Sequence, residues 1–145
     1  MAAFTTRRRL RFGDCDPSGI AYFPSYLDML AGVFEELFAE AGAPFSHLMR
    51  ERGLGPPTVK LECGFERSGF YGDELDWRVA VARLGRSSAD LRYEVRARDR
   101  LLWWARQTIV LTNLSTHTSV SWPEDILAGL TKFMETDADE RAPSA

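Results

Sequence analysis

The sequence predicts an α+β fold in which a curved antiparallel β-sheet wraps around one long central α-helix. Three features point there. From Tyr26 the apolar residues recur at the helical spacing of three and four, three later stretches alternate with a period of two, and short turns join successive strands. Only one long helix is available to cover the apolar side of such a sheet, so wrapping the sheet around it is the economical arrangement.

Thr5 to Phe12 reads as a short first strand with β-leaning ends. Gly13 to Gly19 is rich in Gly, Asp, Pro and Ser, residues that favour turns. Leu27, Leu30, Phe34, Leu37, Phe38 and Ala41 then form an apolar helical face, with Asp28, Glu35, Glu36 and Glu40 opposite. Pro24 suits the first turn and Gly42 the stop, which predicts a helix of about 16 residues. Pro44 to Arg52 predicts a short second helix, broken by Gly53-Leu54-Gly55-Pro56-Pro57. Three alternating strands follow, on Val59, Leu61, Cys63 and Phe65, on Leu75, Trp77, Val79 and Val81, and on Leu91, Tyr93, Val95 and Ala97. Asp99-Arg100 predicts a tight turn, Leu101 to Asn113 a long last strand, and Pro123 to Phe133 a short helix. Residues 1–135 are expected to form a single domain, and the acidic tail 136–145 is expected to fray.

Composition narrows the function. The 145 residues carry a net charge of −3 and a pI near 5.4, which argues against nucleic acid or an acidic membrane surface as a partner. No stretch is apolar enough to span a bilayer, and Arg7, Arg8 and Arg9 lead into Gly13, Asp14, Asp16 and Pro17 rather than a signal-like apolar run. A cytoplasmic protein is expected, and Cys15 and Cys63 suit a reducing compartment. His47 and His117 stand apart and neither cysteine has metal-ligand spacing, so no metal is expected. Sixteen arginines against two lysines fit either codon bias or a local anion site.

The stretch Arg11 to Tyr26 sets two carboxylates, Asp14 and Asp16, in a tight turn just ahead of the main helix. A helix N-terminus presents unpaired N–H groups and partial positive charge, which polarise a carbonyl oxygen. Asp16 is then placed to attack that carbonyl carbon or to deprotonate a water. The same spacing also fits two aspartates that merely shape the turn.

The segment from Phe12 to Tyr26 resembles the 4-hydroxybenzoyl-CoA thioesterase family, hotdog-fold acyl-CoA thioesterases with a catalytic Asp. Gly13, Asp14, Asp16, Pro17, Gly19, Pro24 and Tyr26 all stand in its pattern. Tyr71-Gly72-Asp73-Glu74-Leu75 resembles the start of the family's third strand, Leu84 to Ser88 its next turn, and Trp122-Pro123-Glu124 the start of its terminal helix. The resemblance implies a thioester hydrolase that releases free acid and CoA, without metal or organic cofactor, CoA being part of the substrate. It implies Asp16 as the catalytic carboxylate, acting as nucleophile or general base, and the backbone N–H of Phe23 as donor to the thioester oxygen. Some relatives carry His where this chain has Phe23, which places the chain nearer the aryl-CoA branch. Tyr22, Phe23 and Tyr26 are then expected to line the acyl pocket.

Where the 4-hydroxybenzoyl enzyme meets the ring hydroxyl with a helix carboxylate, this chain has Ala31. A buried unpaired hydroxyl costs about 1–3 kcal/mol. Benzoyl, phenylacetyl and medium-chain acyl groups are therefore as reasonable as 4-hydroxybenzoyl. Arg83 and Arg86, with Ser87 and Ser88, are the candidates for the CoA phosphates, although ordinary solvated turn residues would read the same way. Relatives pair sheets across a two-fold and share sites between subunits, so a homodimer at minimum and a homotetramer are expected. The rivals are an acyl-carrier-protein thioesterase, a same-fold hydratase, which wants a His near the carboxylate, and a non-catalytic acyl-CoA binding module.

Overall fold

The computed structural model describes residues 3–135, so the tail expected to fray lies outside the described residues. Strand β1 (Phe4–Arg9) leads through a 3-10 turn (Phe12–Asp14) to helices α1 (Phe23–Glu40) and α2 (Phe45–Arg50). Strands β2 (Leu54–Gly55), β3 (Thr58–Phe65), β4 (Glu74–Leu84), β5 (Ser88–Ala97), β6 (Arg100–Val110), β7 (Thr112–Asn113) and β8 (Thr118–Ser119) follow, and α3 (Glu124–Thr131) comes last. Five strands pair antiparallel in the order β1-β4-β5-β6-β3, and β2, β7 and β8 form a second, small sheet.

Helix α1 buries Tyr26, Leu30, Val33, Phe34, Leu37 and Phe38 in one core with the inward residues of the large sheet. The sheet contributes Leu75, Trp77, Val79 and Val81 from β4, Leu91, Tyr93 and Val95 from β5, and Trp103, Ala105 and Ile109 from β6. Each fully buried large apolar side chain is worth about 1.5–3 kcal/mol, so this face is what makes the helix and sheet one unit. The buried polar groups Tyr93 and Gln107 satisfy each other: the Tyr93 hydroxyl donates to Gln107 Oε1 at 2.6 Å, and Gln107 Nε2 donates to Thr58 Oγ1 at 2.8 Å. That chain ties β5, β6 and β3 together.

Several expected boundaries move, each for a visible reason. The first strand stops at Arg9 because Leu10 turns into the core and exchanges backbone hydrogen bonds with Gly72 and Asp73, while Phe12–Asp14 curls into the 3-10 turn. Helix α1 begins at Phe23, ahead of Pro24, and runs 18 residues to a stop at Gly42 with φ +87°. The long last strand divides at Leu111, which is fully buried, and Thr112–Asn113 leaves to pair with Leu54–Gly55. The β5–β6 turn centres on Arg98 and Asp99, with φ of 53° and 60°, one residue before the expected position. Strand β3 crosses to the far edge beside β6 instead of pairing with its successor β4. Among the described residues no helix is long and apolar enough to cross a membrane.

Helix α3 closes the end of the core with Ile126 and Leu130, and its Gly129 lies directly on the backbone of Ala41, just past α1. A Cβ at Gly129 would overlap the Ala41 carbonyl oxygen. Gly129→Ala is therefore expected to cost about 1–3 kcal/mol through overpacking. Urea denaturation reads this as a lower midpoint with an unchanged slope.

Candidate active site

Between β1 and α1 the chain makes a compact turn held by its own backbone. Asp16 N–H donates to Ile20 O, Gly19 N–H to Asp16 O and Tyr22 N–H to Asp14 O, each at 2.9 Å, and Cys15 bridges Ala21. Gly19 takes φ +82°, a left-handed conformation that its lack of a Cβ permits. The turn is docked on the β3–β4 connection: Ala21 N–H donates to Gly69 O, Tyr71 N–H donates to Gly19 O, both at 2.9 Å, and Ile20 bridges Phe70.

The two carboxylates separate by role. Asp14 turns inward and accepts the Arg11 N–H at 2.9 Å, capping the 3-10 turn. Asp16 is exposed; its Oδ1 accepts the Ser18 N–H at 2.8 Å and the Ser18 hydroxyl, while Oδ2 has no hydrogen bond among the described residues. The Ser18 hydroxyl, then the Ser18 N–H, stabilises the charged form and holds the Asp16 carboxyl below its ordinary value. Asp16 thus shapes the turn through one oxygen and leaves the other facing a cleft.

At the start of α1 the Phe23 N–H donates to no acceptor among the described residues, Pro24 has no N–H, and no side chain caps the helix. An unpaired donor at the positive end of an 18-residue helix suits a developing negative charge on oxygen. Two clefts open here. One of about 440 Å³ is lined by Asp16 with Phe12, Gly13, Cys15, Pro17, Gly19 and Tyr71. The next, about 280 Å³, takes Ile20, Ala21, Phe23, Tyr26 and Phe65, with Glu66 to Gly69 at its side.

Aromatic rings dominate the second cleft: Phe65 lies 6.3 Å from Phe23, 6.4 Å from Tyr26 and 6.1 Å from Trp103 between centroids. The Tyr26 hydroxyl is buried without a hydrogen bond of good geometry, in the space that a Cβ at Gly69 would need. Burial, with help from Asp73 and Cys15, pushes its pKa up to about 12, so it stays neutral. Tyr22 packs its ring 5.8 Å from Phe23 but lines neither cleft.

The segment thus carries Asp16 on one cleft and Phe23 with Tyr26 on the other. It does not bring Arg83, Arg86, Ser87 and Ser88 to them. These residues sit at the opposite end of β4, and Arg83 is ten residues past Asp73, about 33 Å of extended chain. There Arg83 pairs with Asp90 at 2.9 Å and with Ser88 Oγ at 3.1 Å, and Arg86 donates to Ser121 Oγ at 2.9 Å. Phe65, Gly69 and Ser18 belong to the site without having been singled out. The usable signal for Ser18 was its place two residues after Asp16; for Phe65 and Gly69 there was none short of the fold. Among the described residues no group of three His, Cys, Asp or Glu is arranged to hold a metal ion.

The family model of the thioesterase-like superfamily matches residues 10–130, which spans the turn, α1 and the sheet. The chain belongs to that superfamily. A 4-hydroxybenzoyl-CoA thioesterase of Pseudomonas sp. (strain CBS-3) is 33% identical over 95 residues, 64% of this chain and 67% of the relative. A 1,4-dihydroxy-2-naphthoyl-CoA hydrolase of Synechococcus elongatus is 29% identical over 96 residues, 66% of this chain and 71% of that one. The crystal structure of a 4-hydroxybenzoyl-CoA thioesterase mutant with bound 4-hydroxybenzoyl-CoA superposes with a TM-score of 0.83 at 24% identity, covering 90% of this chain and 99% of the other. The thioesterase family member described here has the hotdog fold, its one long helix packed on the antiparallel sheet.

In this thioesterase the two Ser18 donors set the ionisation of Asp16. Carbon-13 NMR titration is expected to place the Asp16 midpoint below its ordinary value of 3.8. Ser18→Ala removes the hydroxyl donor, so the midpoint is expected to move up; a midpoint unmoved by the substitution contradicts the assignment.

Proposed function

We propose that this thioesterase hydrolyses an aromatic acyl-CoA thioester to the free acid and CoA, with Asp16 as catalytic carboxylate and the Phe23 N–H as oxyanion donor. The observation that carries the reading is that a single pinned segment presents both an unbonded carboxylate oxygen and an unbonded helix-terminal N–H. With the thioester oxygen on the Phe23 N–H, the carbonyl carbon is polarised toward attack. The lowered pKa of Asp16 keeps it ionised at neutral pH, the form needed for attack by Oδ2 on that carbon and equally for deprotonating a water. On the nucleophilic route attack breaks the C–S bond, the sulfur leaves as CoA thiolate, and water then cleaves the resulting anhydride, restoring Asp16 and releasing the acid. No step needs a metal or an organic cofactor.

The ring-lined cleft of Phe23, Tyr26 and Phe65 supports a flat apolar acyl group, as do the aryl-CoA names of the relatives. Ala31 is exposed on α1 and lines neither cleft, so benzoyl, phenylacetyl and 4-hydroxybenzoyl groups fit this reading equally.

The reading includes a homodimer, assembled further to a homotetramer. Strand β3 is an unpaired sheet edge that exposes Val59 at 60% and Phe65 at 53%, and Phe65 also lines the cleft. A second copy covering that edge removes the liability of an open apolar strand. In such an assembly the Arg83–Ser88 turn reaches CoA phosphates across a subunit boundary, since within one subunit it is too distant. The setting is cytoplasmic, with Cys15 and Cys63 both free thiols.

Thiol release from a panel of aryl- and alkyl-CoA thioesters tests the function. Asp16→Asn is expected to lower kcat by about a thousandfold or more, with aryl thioesters preferred. Binding of every thioester without release by the native protein would sink the hydrolase reading. The ionised carboxylate is the active form and its pKa is depressed, so kcat/KM is expected to hold from neutrality down to about pH 4 and to fall below it. In Ser18→Ala that acid limb is expected to begin at higher pH, as the raised pKa requires.

A further inference from the structure

The β3–β4 connection, residues 66–73, is the backing on which the Asp16 turn is built. Its ends are tied to the sheet: Glu66 and Arg67 donate their N–H groups to Leu102 O at 2.8 and 3.0 Å, and Gly72 and Asp73 exchange backbone hydrogen bonds with Leu10 at 2.8 Å. The middle, from Ser68 to Tyr71, touches Gly19, Ile20 and Ala21, yet it forms no strand with the sheet. One side chain reaches that middle from the sheet's end. Arg98 donates to Asp73 Oδ2 at 3.0 Å and to Ser68 O at 3.4 Å, and its guanidinium carbon lies 5.1 Å from the centroid of the Phe70 ring. The same Asp73 Oδ2 accepts the Phe70 N–H at 2.9 Å, so the carboxylate and Arg98 grip one short arch.

The hairpin itself does not account for an arginine there. Ala97 pairs with Arg100 around a two-residue loop in which Arg98 and Asp99 both have positive φ, a turn that favours Asn, Asp or Gly. Arg98 therefore occupies an unfavourable backbone conformation and aims its side chain at the arch. Asp73 is mostly buried, at 14% exposure, and without Arg98 that carboxylate loses its cationic partner. The arch in turn holds Gly19 and Ala21, the residues between Asp16 and Phe23, so any loosening is delivered to the spacing of those two groups.

We propose that Arg98 is a positioning residue for the hydrolysis: through Asp73, Ser68 and Phe70 it fixes the arch that holds Gly19 to Ala21, the link between Asp16 and Phe23. The inference rests on the function proposed above and adds a residue distant in sequence from the motif. A misplacement of reacting groups by about 1 Å is enough to cost up to about a hundredfold in rate.

The test compares Arg98→Gly with Arg98→Lys in the full chain. Glycine relieves the positive φ, which offsets part of the cost of leaving Asp73 without its cation, so Arg98→Gly is expected to stay folded while removing the grip. Its kcat, per mole of folded protein, is expected to fall about tenfold or more, Arg98→Lys is expected to recover part of that loss, and amide hydrogen exchange is expected to quicken at Ala21 and Tyr71 but not in β4 or β5. An Arg98→Gly protein with kcat within twofold of native overturns the proposal whatever its Tm. Should the native protein release no thiol from any thioester, the exchange measurement still decides: unchanged protection at Ala21 and Tyr71 overturns the clamp, and loss there upholds it apart from the hydrolase reading.

Discussion

Burial of one helix against one sheet is the constraint on which the rest of this molecule depends. Six large side chains of α1 enter the core, and the first of them, Tyr26, lies 5.0 Å from Trp103 on β6. Because Tyr26 is in the first turn, that contact also fixes where the helix begins and which way its unpaired Phe23 N–H points. The stabilising contacts and the proposed electrophilic donor therefore share a helix turn. The donor that the proposed hydrolysis requires would thus be held by packing that the fold requires anyway.

The two aspartates show how little sequence separates a half-buried carboxylate from an exposed one. Asp14 spends its oxygen on the Arg11 N–H and sits half-buried in the 3-10 turn. Asp16, two residues on, uses one oxygen for Ser18 and leaves the other open to a cleft. Residue type and spacing treat them alike, and only the direction of each side chain distinguishes them. The same hydrogen bonds that shape the Asp16 turn keep the carboxyl ionised, so geometry and charge state are set together.

Much of the architecture was legible. The long helix, the period-two strands and the terminal helix all form near their expected places because each has a strong local pattern. What was not legible depends on distant partners. Strand β3 alternates like its neighbours, yet its place beside β6 is settled by pairing across some forty residues of chain. The break at Leu111 has no turn residue to announce it, and comes from a side chain drawn into the core. The turn carrying Asp16 and the helix start with Phe23 and Tyr26 were readable because they are contiguous in sequence. Phe65, Gly69, Asp73 and Arg98 were not, since they join them from three other places in the chain.

By itself the sequence determined the local conformations and the residue types that can do chemistry, because period, turn composition and helix-start rules act over a few neighbouring residues. The tertiary structure alone decided which of the two carboxylates is exposed beside the Phe12–Tyr71 cleft, which rings line a cleft and which arginines lie near the turn. It separated Arg83 and Arg86 from Asp16 by the length of β4, and brought Arg98 to the arch behind Asp16. The physical reason is that antiparallel pairing and core burial fix positions in space between residues far apart in the chain, and no local preference carries that information.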